Sequence, residues 1–353
     1  MKKIVLTGGG TAGHVTPNIA LIPILKDAGY EVHYIGSYEG IEKSLITEMG
    51  IPYYGISSGK LRRYLSAKNF TDPFRVIKGF SQAKQLMKEI KPDIVFSKGG
   101  FVTVPVVKAA ASRNIPVIIH ESDMTPGLAN KLCNKHAMKV CCNFPETVEL
   151  FPKGKAVLTG SPIRKELSTG DRATGLNLCH FSTDKPVLMI IGGSLGAQKI
   201  NESVRSILPK LLERYQIIHV CGKGKMDESL IQTNGYSQFE YVKDDLKHLF
   251  AAADIVISRA GANVICELLS LKKPALLIPL SAKASRGDQI LNAESFRKQG
   301  YCDVLDEDEI TDDKLYEAIN NLYDNREKYI STMSTSKLND AIDSIIKLIN
   351  QLC

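Results

Sequence analysis

Short apolar runs recur along the chain, each followed by a glycine-rich or polar break and then a longer stretch with helical spacing. In the first half the runs are KIVLTG, EVHYIG, PDIVFSKGG, PVIIHES, KVCCNF and AVLTGSP. In the second half they are VLMIIGGS, IIHVCGKG, FEYVK, DIVISRAG, PALLIPL and YCDVL. The runs are near-continuous rather than alternating, which predicts strands covered on both faces, as in parallel sheets wrapped by helices. So many strands exceed one doubly wound sheet of usual size. The pattern also restarts: IVLTGGGTAGH opens the first half and LMIIGGSLGAQKIN the second, each reading strand, glycine loop, helix. The expected fold class is therefore α/β, with two Rossmann-like doubly wound parallel-sheet domains facing a cleft. The first domain is expected over residues 1–161 and the second over 162–336, with the hinge near GSPIRKEL, where a proline follows a strand end. Residues 337–353 are expected to form a final helix. Leu338, Ala341, Ile342, Ile345, Ile346 and Ile349 recur there at a helical period. Its docking partner is not legible, and packing back on the first domain is the candidate.

Length supports two domains, because a single core stops growing at about 250–300 residues and this chain has 353. No apolar run approaches the ~18 residues of a membrane span. The opening MKKIVLTGGG has too short an apolar stretch for a signal-peptide core and reads as a first strand. The eight cysteines include no Cys-x-x-Cys and lie mostly inside apolar runs, which favours buried thiols over zinc or disulfides.

The charge is uneven. Residues 1–160 carry 21 Lys and Arg against 12 acids, whereas the remainder carries 24 against 26. A basic first half suggests an anionic partner for that half. Nine of its basic residues fall within 60–91, Lys60, Arg62 and Arg63 among them, interleaved with Leu61, Tyr64, Leu65, Phe70, Phe74, Ile77 and Phe80. Basic and aromatic residues at this spacing suit peripheral docking on an anionic membrane surface, at about 1 kcal/mol per basic residue. A helix with one core face and one solvated face accounts for part of the same pattern. Nucleic acid is disfavoured, since the bias is local and no recognition motif accompanies it.

The first glycine loop holds Gly8, Gly10 and Gly13 at the spacing of a dinucleotide-binding turn. Such loops aim backbone N–H groups and a helix N-terminus at an anion. Thr16 and Pro17 are expected as N-cap and first helical residue, and Gly29 as the stop. A nicotinamide site would also need an acid at the end of the second strand. Gly36 and Ser37 stand there instead, which argues against an NAD-dependent oxidoreductase. His14 follows the loop directly. Imidazole titrates near pH ~6.5, so a cleft-facing His14 is the first candidate general base. Glu121 and Asp123 are alternatives, and a structural histidine bonded to the backbone is the competing reading.

Three features converge in the second half. GGSLGAQ places Gly192, Gly193, Ser194 and Gly196 between a strand and a helix, where Ser194 could join backbone donors around a phosphate. SRAGANVICELLSL sets Glu267 about one turn into a helix, in reach of a ribose diol; an acid drawn to the helix dipole is the plainer account. RGDQILNA opens another helix with Asp288 and Gln289, and glutamine both donates to and accepts from sugar hydroxyls.

Taken in series, GGGTAGH, SKGGFVTVPVVKAA, IIHESDMTPGLANK, TGSPIR, GGSLGAQKIN, ISRAGANVICEL and RGDQILNA resemble the MurG family of bacterial peptidoglycan N-acetylglucosaminyltransferases, nearly end to end. The resemblance implies a glycosyltransferase B fold. It also implies transfer of N-acetylglucosamine from UDP-N-acetylglucosamine to the muramyl 4-hydroxyl of lipid I, giving lipid II with inversion at the cytoplasmic face of the cell membrane. Carried over, the donor site comprises Thr11, Ala12, Gly13, Asp123, Arg164, Ser194, Glu267 and Gln289. Arg164 is expected by the nucleotide, Ser194 by the phosphates, Glu267 by the ribose and Gln289 by the sugar hydroxyls. Ala12 stands where the family often has Gly, Ser161 where it has Asn, and Asp123 where it often has Asn. An anion beside a diphosphate needs proton work or a cation to offset it. No metal or other cofactor is expected: the one Asp-x-Asp match, Asp306-Glu307-Asp308, lies in an acidic run that reads as helix capping. The rival readings are a UDP-N-acetylglucosamine 2-epimerase-like enzyme and a non-catalytic nucleotide-binding membrane module.

Overall fold

The structure, a computed structural model, describes residues 1–59, 68–193 and 196–353, with side chains described from 74 onward in the second range. It contains two parallel sheets. The first holds β1 (Lys2–Thr7), β2 (Tyr30–Ser37), β3 (Tyr53–Ile56), β4 (Ile94–Ser97), β5 (Val117–Glu121), β6 (Lys139–Cys142) and β7 (Ala156–Leu158), ordered β3-β2-β1-β4-β5-β6-β7. The second holds β8 (Val187–Ile191), β9 (Gln216–Val220), β10 (Tyr236–Phe239), β11 (Ile255–Ser258), β12 (Ala275–Leu277) and β13 (Cys302–Val304), ordered β10-β9-β8-β11-β12-β13. In each sheet the winding reverses, between β1 and β4 and between β8 and β11. Ligands of open α/β sheets bind at such a point, outside the carboxyl ends of the strands.

The helices that matter below are α1 (Thr16–Asp27), α2 (Ile41–Glu48), α3 (Lys68–Ile90), α4 (Thr103–Ala111), α5 (Leu128–Asn134), α6 (Gln198–Ser206), α7 (Ala262–Ser270), α8 (Asp288–Lys298) and α9 (Ala341–Leu352). Successive strand residues point to opposite faces, so each buried strand feeds two cores. Val5, Ile35, Val95 and Ile119 face α3, α4 and α5 through Ala83, Met87, Val106 and Cys133. Ile4, Leu6, Tyr34, Ile94 and Phe96 face the other way, toward Leu21 and Leu25 of α1 and Ile345 and Ile349 of α9.

The chain divides into one unit of Met1–Arg164 with Asp340–Cys353, and a second of Lys165–Asn339. The return of α9 to the first unit follows from its apolar stripe. Ile345, Leu348 and Ile349 are buried there, and full burial of such side chains contributes roughly 1.5–3 kcal/mol each. That is enough to hold a short helix that would be marginal alone. Tyr30 Oη donates to Asn350 Oδ1 at 2.6 Å and fixes its last turn.

Local departures from the sequence pattern have identifiable causes. The strand expected in FEYVK lies earlier, at β10. Tyr236 enters the core and meets His219 Nδ1 at 2.8 Å, whereas Tyr241 turns outward and is 68 % exposed. Thr16 does not cap α1. It lies in the first turn, and its hydroxyl donates to the Ala12 carbonyl at 3.0 Å. The thiols of Cys133, Cys141, Cys142, Cys179, Cys221, Cys266 and Cys302 are buried, and Cys353 is exposed.

Candidate functional site

In the first unit the loops after β1 and β4 meet at the reversal point. Gly100 has φ +91°, and a Cβ on it would lie 2.3 Å from the Gly9 carbonyl oxygen, so the two backbones touch. The Gly9 N–H donates to the Gly99 carbonyl at 3.3 Å. The Gly10 N–H donates to Glu42 Oε2 at 3.3 Å. Glu42, in the first turn of α2, is fully buried and also accepts from the Ser37 N–H at 3.0 Å and the Ser37 hydroxyl at 2.5 Å. Its side chain fills the space a Cβ would occupy on Gly9, Gly36 or Gly40. The expectation that the first loop aims its amides at a phosphate is thus corrected in part: those of Gly9 and Gly10 are satisfied internally. Thr11 and Ala12 form the exposed tip, and Gly13 is half-buried.

His14 closes the short 3-10 turn Ala12–His14. Its Nδ1 lies 3.0 Å from the Gly9 carbonyl and 3.2 Å from Thr11 Oγ1. A carbonyl only accepts, so Nδ1 carries the hydrogen and the neutral ring keeps its Nε2 lone pair. Burial lowers the His14 pKa below the ordinary histidine value, and the Lys98 ammonium lowers it further. The Gly9 carbonyl and the carboxylates of Asp123 and Glu42 oppose this.

Lys98 follows β4 and is 1 % exposed. Its Nζ lies 2.7 Å from His120 Nδ1 and also donates to the Ser122 hydroxyl. His120 Nε2 in turn meets the Gly160 carbonyl at 2.9 Å. The buried His120 has a pKa well below the usual range, through burial first and Lys98 second, so its Nδ1 serves as acceptor for the lysine.

Glu121, the alternative base, is placed otherwise. Oε1 accepts from the N–H groups of Ser122 at 2.9 Å and Asp123 at 3.2 Å. Oε2 accepts from the Gly127 N–H and Asn130 Nδ2, both at 2.9 Å. Burial pushes its pKa up, against the bonds from Asn130 and Gly127. With each oxygen accepting two hydrogen bonds and 4 % exposure, Glu121 shapes the 122–127 loop. Asp123 is half-buried on that loop. Arg164, the last residue of the first unit, keeps a buried Nε without a hydrogen-bond partner.

In the second unit the winding reverses between β8 and β11, and the glycine loop after β8 packs against the chain that follows β9. Gly196 has φ +68°, and a Cβ there would lie 2.1 Å from the Cys221 carbonyl oxygen, so only glycine lets the loop reach α6. Ser194 lies outside the described residues. Glu267 is half-buried on α7. Gln289, in the first turn of α8, accepts from the Leu280 N–H at 3.1 Å through Oε1. Sequence reasoning missed Arg259, which follows β11. It pairs with the buried Glu307 and donates to the Ile278 carbonyl at 3.1 Å, fastening the loop that carries Ser281.

Lys60, Arg62 and Arg63 also lie outside the described residues. Beyond them, α3 exposes Phe74 (74 %) and Ile77 (65 %) beside exposed Arg75 and Lys78. Among the described residues no helix is long and apolar enough to cross a membrane, and no cluster of three His, Cys, Asp or Glu could hold a metal ion.

Residues 4–142 match the glycosyltransferase family 28 N-terminal domain, and residues 187–348 the glycosyltransferase family 28 C-terminal domain. The chain belongs to glycosyltransferase family 28. Within this family it is 67 % identical over 349 residues, 99 % of each chain, to the UDP-N-acetylglucosamine--N-acetylmuramyl-(pentapeptide) pyrophosphoryl-undecaprenol N-acetylglucosamine transferase of Lachnospira eligens. It is 64 % identical over 352 residues to the protein of the same name from Lachnoclostridium phytofermentans, covering 100 % of this chain and 99 % of that one. The crystal structure of Acinetobacter baumannii MurG matches with a TM-score of 0.78 at 28 % identity, over 99 % of this chain and all of that one. The two parallel-sheet units are thus the glycosyltransferase B architecture expected from the sequence.

Proposed function

We propose that this family 28 chain transfers N-acetylglucosamine from UDP-N-acetylglucosamine to the muramyl 4-hydroxyl of lipid I, forming lipid II, with His14 as general base. The observation that carries the base assignment is the hydrogen bond from His14 Nδ1 to the Gly9 carbonyl at 3.0 Å. It fixes the tautomer whose Nε2 can accept the hydroxyl proton. Inversion then follows from in-line attack as UDP departs. Departing charge is stabilised by the amides of the glycine loop at 192–196 and the α6 N-terminus, with Ser194 adding a hydroxyl. Arg164 binds the nucleotide, Glu267 the ribose and Gln289 the sugar hydroxyls, while Thr11, Ala12, Gly13 and Asp123 contribute from the first unit. The acceptor's lipid reaches the site from an anionic cytoplasmic membrane surface, on which the 60–91 segment docks peripherally. The exposed Phe74 and Ile77 beside Arg75 and Lys78 support that docking.

One assay tests the reaction: UDP release from UDP-N-acetylglucosamine with and without a lipid I analogue. Release that requires the analogue is expected. Turnover of the UDP-sugar without acceptor would mark an epimerase, and binding without turnover a non-catalytic module. His14→Ala should lose most turnover at saturating substrates, since general base catalysis contributes about 10²–10⁴-fold. Near-normal turnover would remove His14 from the role.

A further inference from the structure

The first unit buries a lysine that the proposed reaction leaves without a role. Lys98 stands between β4 and the Gly99–Gly100 turn, beneath the point where the two glycine loops touch. Gly99 itself faces the candidate base: a Cβ on it would lie 3.6 Å from His14 Cδ2. The ammonium is not a surface charge that swings freely. His120 Nδ1 holds it at 2.7 Å, Ser122 Oγ accepts from it, and His120 is locked from behind by the Gly160 carbonyl. Burying an ammonium costs several kcal/mol before compensation, so its placement demands a compensating reason.

The charges around His14 supply one. Asp123 follows the Ser122 that the lysine binds, Glu42 accepts from the Gly10 N–H next to the Gly9 carbonyl that holds the ring, and Lys98 precedes the Gly99 that faces the ring. Burial disfavours the protonated ring first, and the two carboxylates pull the other way, toward a ring that can accept no further proton. The lysine opposes both from inside the fold, where water screens it little.

We propose that Lys98 is a positioning residue for the transfer: fixed by His120 and Ser122 under the glycine turns, its ammonium keeps His14 in the proton-accepting form against the carboxylates of Asp123 and Glu42. This rests on the assignment of His14 as base, and the experiment separates the two. The His14 ring is titrated by NMR in the full-length protein, as wild type, Lys98→Met and Asp123→Asn, over about pH 5–9. The pH dependence of kcat for lipid I analogue glycosylation is measured on the same three proteins. Removing Lys98 should raise the His14 midpoint and move the acid limb of kcat to higher pH. The rate loss is then large at low pH and shrinks as pH rises. Removing Asp123 should move both the other way.

A merely structural lysine would lower kcat by the same factor at every pH and leave the His14 midpoint in place, which overturns the proposal. If Lys98→Met does not fold, an unmoved midpoint in Asp123→Asn overturns it equally, since the ring would then not sense the charges said to bracket it. If the NMR midpoint moves while the kcat limb stays, Lys98 acts on His14 as proposed, and it is the assignment of His14 as base that fails.

Discussion

Replacing Glu42 by glutamine isolates what the buried carboxylate does under the first glycine loop. Its two oxygens accept three hydrogen bonds, from Ser37 N–H, Ser37 Oγ and Gly10 N–H. An amide of the same shape supplies one acceptor oxygen and one N–H2. Whichever way it turns, a donor faces a donor: either Gly10 N–H at the Oε2 position or the pair from Ser37 at Oε1. The Ser37 hydroxyl can rotate, whereas a backbone N–H cannot, so the amide oxygen settles toward Ser37 and the Gly10 bond is lost. A hydrogen bond to a charged group contributes about 1.5–3 kcal/mol, and a buried donor left bare adds about 1–3 kcal/mol. Weighing the long 3.3 Å Gly10 bond downward, Glu42→Gln should destabilise the first unit by about 2–4 kcal/mol. For a domain of this size about 1 kcal/mol moves Tm by about 2–4 °C, so a fall of roughly 4–16 °C is expected. Differential scanning calorimetry, with UDP added to mark the nucleotide-binding transition, reads it directly. The same change removes a carboxylate that raises the His14 pKa, so the acid limb of kcat should move to lower pH, opposite to Lys98→Met. An unchanged Tm would refute the claim that Glu42 organises the loop. A Tm fall with an upward limb would refute the electrostatic part alone.

Other outcomes follow from the same structure. His219 is pushed down to about 3 by burial, with Arg205 adding to it, against about 6.5 when unfolded. A histidine lowered on folding contributes its stability above the unfolded pKa and loses it as pH falls toward the folded one. Urea titrations should thus show the second unit losing about 1.4 kcal/mol per pH unit below about 6.5 from this residue, and His219→Gln should flatten that slope; an unchanged slope counts against it. Transfer should persist in excess EDTA, because loop amides and helix N-termini are assigned the leaving charge; inactivation that magnesium reverses would sink that assignment. Binding to anionic vesicles should weaken with salt, and by at least about a hundredfold when Lys60, Arg62 and Arg63 become Glu, at about 1 kcal/mol per charge. Phe74→Ser with Ile77→Ser should weaken it further, and salt-insensitive binding would contradict the docking reading.

The fold was legible because its signals are periodic and local. Near-continuous apolar runs report strands buried on both faces, and two glycine loops after such runs report two windings. The apolar stripe of α9 was equally plain, but the surface it meets is assembled from residues over three hundred positions earlier, such as Tyr30. His14 could be singled out by its place after the loop. Lys98 could not, because a lysine ahead of two glycines reads as a solvated charge. Its burial depends on β4 pairing beside β5, which carries His120 over it. Glu42 was hidden for a similar reason. An acid in a first helical turn is ordinarily a dipole partner in water, and only the absent side chains of Gly9, Gly36 and Gly40 together reveal that this one points inward. Glu121 was legible only as an acid beside a candidate site; the donors on its oxygens, from Ser122, Asp123, Gly127 and Asn130, come together only in the fold.

The return of α9 sets an order on synthesis. Most of the first unit is encoded by residues 1–164, yet its core includes Ile345, Leu348 and Ile349. These leave the ribosome only after the whole of Lys165–Asn339. At about 5–20 residues per second the nascent first unit waits roughly 10–35 s with an apolar strip around Leu21 and Leu25 uncovered. During translation that strip is exposed apolar surface, and the last helix is what retires it.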